Sequence, residues 1–209
     1  MIRATLTLVF LAAVPRPSLA ITTATSTPSN AYASVMRSVN PHLAAPVSRL
    51  YAAALLADAR RNRVDPRLVM AVVTVESHWN VKARSYRGAI GLGQLMPQTA
   101  RNLGVDPTQG RSNIAGLTIY LHRLLSDFRD ARNPIRNAIA GYNAGPLAVK
   151  RYGGIPPFAE TQRYVVKVLA AWHGFKARLP ENPSALAIAD QLTFAESVAR
   201  EQTSYWGAL

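Results

Sequence analysis

Residues 65–98 read DPRLVMAVVTVESHWNVKARSYRGAIGLGQLMPQ, and the fold turns on how this stretch is read. Asp65 before Pro66 is a helix start, an Asp N-cap followed by proline at the first helical position. Leu68, Val72 and Val75 share one face, while Met70, Ala71 and Val73 make most of the remainder apolar too. A helix that is apolar nearly all round belongs at the centre of a core. This one nevertheless ends in a carboxylate, Glu76, in its last turn. Desolvation and the partial negative charge of a helix C-terminus both disfavour a charged carboxylate there. Both raise its pKa, as a general acid working near neutral pH requires. The loop that follows, Ser85 to Gln94, contains Gly88, Gly91 and Gly93, which let backbone approach a ligand closely. Pro97 then starts a short helix that Gly104 ends.

Outward from this stretch the chain remains helical. On the N-terminal side Pro46 opens a helix with Val47, Leu50, Tyr51, Ala54 and Leu55 in a stripe. On the C-terminal side Asn113 is positioned to cap a long helix bearing Ile114, Leu117, Leu121, Leu124 and Phe128. Asn133-Pro134 opens the next, which runs into Gly141-Tyr142-Asn143-Ala144-Gly145-Pro146. Gly153-Gly154 and Pro156-Pro157 mark an irregular connection. Tyr164, Val165, Val168, Leu169, Trp172 and Phe175 define a last core helix. No segment alternates as a strand does, so a mainly α, single-domain body over 46–178 is expected.

The flanks read differently. Arg3, the apolar run Ala4 to Val14 and the small-residue site Ser18-Leu19-Ala20 have the form of an export signal, assigned to 1–20. Residues 21–45, rich in Ser, Thr, Ala and Pro, read as a loose N-terminal arm. Beyond the domain, 179–209 form an extension with Ile188, Leu192, Ala195 and Ala199 on one face. That is the pattern of an amphipathic helix, suited to docking on the domain or on an envelope partner.

Composition narrows the function. Of 209 residues 49% are hydrophobic and 17% charged, enough to bury a sizeable core. The absence of cysteine excludes disulfides, thiolate metal sites and a Cys nucleophile. With an export signal, this favours a bacterial envelope compartment, the periplasm. The net charge of +13, lower by two without Arg3 and Arg16, favours an anionic partner. Export and the lack of aromatics interleaved with the basic residues argue against nucleic acid. No run approaches the eighteen or so apolar residues of a membrane span.

Several chemistries drop out. His42, His78, His122 and His173 have no ligand spacing, so no metal and no other cofactor are expected. There is no G-x-S-x-G elbow, and the glycine loop lacks the Lys-Ser/Thr of a phosphate cradle. What remains is Glu76, a glycine loop with Ser85 and Gln94, and the pair Tyr142-Asn143, with Tyr164 on the last helix. Hydroxyls and amides around one carboxyl group suit a carbohydrate. Glycosidic cleavage usually takes two carboxylates, yet Glu76 has no obvious second partner. Glu160 is the one other Glu within the domain. The second role then falls to the substrate or to a held water.

These residues occur in a familiar order. Glu76-Ser77 is followed by Ser85 and Gly88-Ala89-Ile90-Gly91-Leu92-Gly93-Gln94-Leu95-Met96-Pro97. Asn113 with Ala115-Gly116, Tyr120-Leu121, Ala140-Gly141-Tyr142-Asn143-Ala144-Gly145 and Glu160-Thr161 with Tyr164-Val165 complete it. From about Leu50 to Trp172 the chain resembles the catalytic domain of the soluble lytic transglycosylases, similar in fold to goose-type lysozyme. The resemblance implies non-hydrolytic cleavage of the MurNAc-β-1,4-GlcNAc bond of peptidoglycan to a 1,6-anhydroMurNAc product, with Glu76 as single acid and base. It implies a saccharide groove lined by Ser85, Gln94, Tyr142, Asn143 and Tyr164. Ser77, Leu92, Gly93, Met96 and Glu160 are supporting positions, and a structural ion pair is the competing role for Glu160.

The alternatives are muramidase-type hydrolysis on the same fold, or a non-catalytic wall-binding assembly protein. Such a domain suits general wall turnover or local opening of the wall for a secretion or conjugation machine. Two departures stand out: Gly93 where the family commonly has Met, and Gly141 where it commonly has Ala. The added glycine is expected to widen the loop.

Overall fold

The computed structural model describes residues 27–179 of the chain. The expected export signal, 1–20, and nearly all of the 179–209 extension lie outside the described residues. Among the described residues there are eight helices: α1 (Pro28–Val39), α2 (Ala45–Asn62), α3 (Pro66–Ser77), α4 (Pro97–Leu103), α5 (Gly110–Asp127), α6 (Pro134–Ala144), α7 (Pro146–Tyr152) and α8 (Ala159–Lys176). The extended pairing among the described residues is confined to isolated bridges, Arg84 with Ile90 and Ile90 with Leu95. The mainly helical reading therefore holds.

The centre is α3, where every residue from Leu68 to Val73 is at most 2% exposed. It packs against α8 on one side and α2 on another; α5 bridges α2 and α6, and α6 in turn lies on α8. Asp65 starts α3 as expected, accepting from the Arg67 backbone N–H at 2.8 Å. The same carboxylate takes the Arg67 guanidinium, with Nε at 2.8 Å, and the Trp172 indole N–H at 2.9 Å, tying α3 to α8. Burial alone would push the Asp65 pKa up, but these hydrogen bonds outweigh it and hold it below the ordinary range.

One expectation fails. Residues 28–39 of the supposed loose arm form α1, capped by Thr27 and opened by Pro28. Tyr32 and Met36 are fully buried against the body, and α1 packs along α2. Burying two such side chains stabilises by about 1.5–3 kcal/mol each, enough to order a helix of weak intrinsic propensity. Two smaller differences concern helix starts. Asn113 does not cap α5: the helix begins at Gly110, and Asn113 is fully buried within it. Before the Gly153-Gly154 connection the chain makes an extra short helix, α7.

Candidate functional site

Glu76 sits in the last turn of α3, half-buried. The chain leaves that turn through two consecutive non-glycine residues in the left-handed region, His78 (φ 49°) and Trp79 (φ 63°). Such backbone is uncommon and costs energy, so something must hold it. Trp79 is 1% exposed, and its indole N–H donates to Thr74 Oγ1 at 3.2 Å. The buried tryptophan thus fixes the turn directly behind Glu76.

The carboxylate meets α8 at Tyr164, whose Oη donates to Glu76 Oε1 at 2.6 Å. Burial is the largest influence on Glu76 and raises its pKa; the Tyr164 hydrogen bond pulls it down, and the charge of Glu160 pushes it up again. The result is a pKa of about 7. The Tyr142 and Tyr164 hydroxyls are both raised well above 10, by burial first and then by the Glu76 charge, and so stay protonated as donors. Two of the proposed groove residues, Tyr142 and Tyr164, thereby lie within electrostatic reach of Glu76.

The glycine loop is drawn to this centre by side chains from other helices. Tyr142 Oη donates to the Gly93 carbonyl at 2.7 Å. Asn113 Oδ1 accepts from the Gly93 N–H at 2.7 Å, while its Nδ2 donates to the carbonyls of Ile90 (2.9 Å) and Pro107 (2.7 Å). The loop closes on itself through Gln94, whose Nε2 donates to the carbonyls of Ala83 and Gly91. Gln94 itself has φ 48°. Ser85 Oγ accepts from the Ala89 N–H at 3.0 Å. Ser85 and Gln94 thus shape the loop and make no hydrogen bond to Glu76. Asn143 Oδ1 accepts from Thr161 Oγ1 at 2.7 Å, which links α6 to α8.

The supporting positions separate. Ser77 is buried and bonds back to the Val73 carbonyl, and Leu92 is wholly in the core. Met96 is 44% exposed at the start of α4. Glu160 is exposed and faces Arg87 at 3.9 Å, and its charge also reaches Glu76. Gly93 corrects an expectation: it does not widen the loop. A Cβ there would stand 2.5 Å from Leu117 Cδ1 and 3.1 Å from Asn113 Oδ1, so the glycine lets α5 come against the loop. Sequence reading missed Trp79, the hold of Thr161 on Asn143 and the clamping role of Asn113. Among the described residues no group of His, Cys, Asp or Glu could hold a metal, and no helix is long and apolar enough to cross a membrane.

The chain has known counterparts. Residues 54–165, more than half the chain, match the transglycosylase SLT domain. The chain belongs to the transglycosylase SLT domain family. A transglycosylase of Enterobacteria phage PRD1 is 43% identical over 86 residues, covering 39% of this chain and 30% of the phage protein. Membrane-bound lytic murein transglycosylase F of Yersinia enterocolitica is 37% identical over 94 residues, 43% of this chain and 19% of that protein.

Two solved structures share the SLT fold. The 70 kDa soluble lytic transglycosylase of Escherichia coli superposes with a TM-score of 0.54 at 24% identity, over 78% of this chain and 33% of that one. An inactive glutamate-to-glutamine mutant of the lytic transglycosylase Slt from Pseudomonas aeruginosa gives 0.53 at 23%, over 77% and 33%. The chain therefore spans a third or less of these relatives' length. At such identity the structural likeness establishes the fold, a mainly helical, lysozyme-like SLT domain.

Proposed function

We propose that this SLT domain is a peptidoglycan lytic transglycosylase in which Glu76 is the single general acid and base. The observation that carries the reading is the state of Glu76: half-buried, oriented by Tyr164, and with a pKa of about 7. Near neutral pH both its forms are populated, as a group that first gives and then takes a proton requires. Glu160, the other acid whose charge reaches it, stands exposed at the rim, and no described hydrogen bond joins it to Glu76. That leaves the nucleophile's part to the substrate. The printed names of the relatives, lytic and murein transglycosylases, point the same way.

In the proposed sequence Glu76 donates its proton to the glycosidic oxygen as the MurNAc C1–O bond breaks, freeing the GlcNAc 4-hydroxyl. The carboxylate then takes the proton of the MurNAc 6-hydroxyl as that oxygen bonds C1, closing the 1,6-anhydro ring. No water is consumed. Tyr164 orients Glu76, while Tyr142 with Asn113, and Thr161 with Asn143, fix the walls. The loop with Ser85 and Gln94 lines the saccharide groove. The basic character of the chain and the signal-like sequence at its start suit a periplasmic site of action on the wall, and the apolar stripe in the sequence of the extension suits an envelope partner.

Mass spectrometry of digested sacculi tests this directly. Wild type is expected to release 1,6-anhydroMurNAc products, and Glu76→Gln to release none while still binding sacculi. Reducing MurNAc ends, heavier by one water, would replace transglycosylation with hydrolysis. Full release by Glu76→Gln would remove Glu76 from the chemistry.

A further inference from the structure

The tip of the glycine loop, Tyr86-Arg87, takes no part in the hydrogen bonds that hold the loop's base. Tyr86 is 90% exposed, more than any other large apolar side chain among the described residues. The Arg87 guanidinium carbon stands 5.3 Å from the centre of that ring. Arg87 also faces Glu160, at 3.9 Å, in a pair whose side chains are 64% and 63% exposed. An exposed pair at that distance contributes little to stability. It is also too long for a hydrogen bond, and the guanidinium makes none with any described residue. Five N–H donors in a planar fork, shaped to take a carboxylate two-handed, are left to solvent.

The tip faces the first turn of α8, the helix whose Tyr164 reaches Glu76. Glu160, which Arg87 faces, is near enough for its charge to act on Glu76. Thr161, next along α8, holds Asn143. Ser85, one residue before Tyr86, closes the loop through Ala89. An exposed ring beside a donor-rich cation offers an apolar face and an anion site side by side.

We infer that Tyr86 and Arg87 form a rim subsite for a carboxylate carried on a substituent of the sugar chain, the guanidinium pairing the carboxylate and the Tyr86 ring covering the apolar part of the same substituent. The inference rests on the transglycosylase reading. On peptidoglycan the muramyl unit bears such groups, as carboxylates of the peptide stem or, once the stem is removed, as the lactyl carboxylate. A short two-handed bond to the substrate then takes the place of the long contact to Glu160. Bound so, the substituent anchors the muramyl unit over Glu76.

The test uses soluble glycan strands in three forms: bearing peptide stems, bearing stems whose carboxylates have been amidated with carbodiimide and ammonia, and stripped of stems. At sub-saturating stem-bearing strands, Arg87→Gln is expected to release product about five- to tenfold more slowly than wild type. At saturation the two should match, with unchanged thermal unfolding. Amidation should slow wild type to the level of Arg87→Gln and leave the variant where it was. Arg87→Lys, a cation without the fork, should recover part of the loss. A deficit that persists on stripped strands places the lactyl carboxylate in the subsite, and one that vanishes there assigns the stem. Equal rates for Arg87→Gln and wild type on stem-bearing strands, or an equal loss on amidated ones, would overturn the subsite. So would a loss that disappears in the Glu160→Gln background, since Arg87 would then be only the counter-ion of Glu160. Failure of wild type to cleave any of the three strands would instead strike the transglycosylase reading beneath it.

Discussion

Tyr164 Oη donates to Glu76 Oε1 at 2.6 Å, joining the last turn of α3 to α8 across 88 positions of sequence. It is the one influence that lowers the Glu76 pKa, set against burial and the Glu160 charge, which raise it. The bond favours the carboxylate, so it steadies the form Glu76 takes after giving up its proton.

Tyr164→Phe removes that bond and leaves the ring in place. The Glu76 pKa should then rise further above about 7. Since the first step needs the protonated form, the alkaline limb of the kcat/KM profile should move to higher pH. The maximal rate should fall roughly tenfold with the lost orientation and stabilisation. An unmoved limb, or one shifted to lower pH, would show that Tyr164 does not hold the carboxylate in solution.

A raised carboxyl pKa is also a statement about stability. Glu76 goes from an ordinary 4.5 to about 7 on folding, so the native state binds more protons between those values. Its protonated form stabilises the fold fully below 4.5, and that contribution is lost as pH rises through 7. The charged form then costs at most about 3 kcal/mol. Glu76→Gln keeps an acceptor for Tyr164 and never charges. It should melt higher than wild type at pH 8, and the gap should close by about pH 4. A gap independent of pH would mean that Glu76 is not buried as described.

How much of this was legible in the sequence depended on the range of the contacts involved. The Asp65-Pro66 start, the all-round apolar α3 and the α8 stripe are local signals, and each could be read. The stripe of α1, Tyr32, Val35, Met36 and Val39, follows the same i, i+3, i+4, i+7 rule. It was hidden by the Ser, Thr and Pro composition around it. Asn113 precedes an apolar run and so reads as a cap, but its partners lie up to 23 residues away on the loop. Glycine at 93 reads as freedom, whereas in the fold it makes room for a neighbouring helix. Nothing local distinguishes those meanings.

Gly93 gives a packing prediction. Its Cβ would lie 2.5 Å from Leu117 Cδ1 and 3.0 Å from Leu117 Cβ, and Leu117 is fully buried. Gly93→Ala should therefore destabilise by about 1–3 kcal/mol through overpacking. Leu117→Ala alone should cost about 2–5 kcal/mol by leaving a cavity. In the double variant the added methyl enters that cavity, so the combined cost should be less than the two together. Denaturant unfolding of the four proteins measures the coupling, and strict additivity would remove the contact between these positions.

Asn113 gives the sharpest distinction, because its amide is used at both ends. The oxygen accepts from the buried Gly93 N–H, and the nitrogen donates to the half-buried carbonyls of Ile90 and Pro107. Asn113→Ala leaves the Gly93 N–H and the Pro107 carbonyl without partners, while the Ile90 carbonyl keeps the Leu95 N–H, and should cost about 2 kcal/mol or more. Asn113→Asp keeps the acceptor but loses both donors, and places a carboxylate against two carbonyl oxygens. At pH 7 it should be less stable than Asn113→Ala. Its carboxyl pKa is then raised in the fold. Protonation restores one donor, so Asn113→Asp should regain stability as pH falls toward the ordinary Asp range of about 4. Asn113→Ala has no such group and should show no matching recovery. The loop carries Gly93 beneath Tyr142, so both variants should also lose cleavage activity before they lose the fold. Thermal unfolding and product release measured together from pH 4 to pH 8 check both claims. An Asn113→Asp protein as stable as wild type at pH 7 would mean that the side chain does not clamp the loop through its nitrogen.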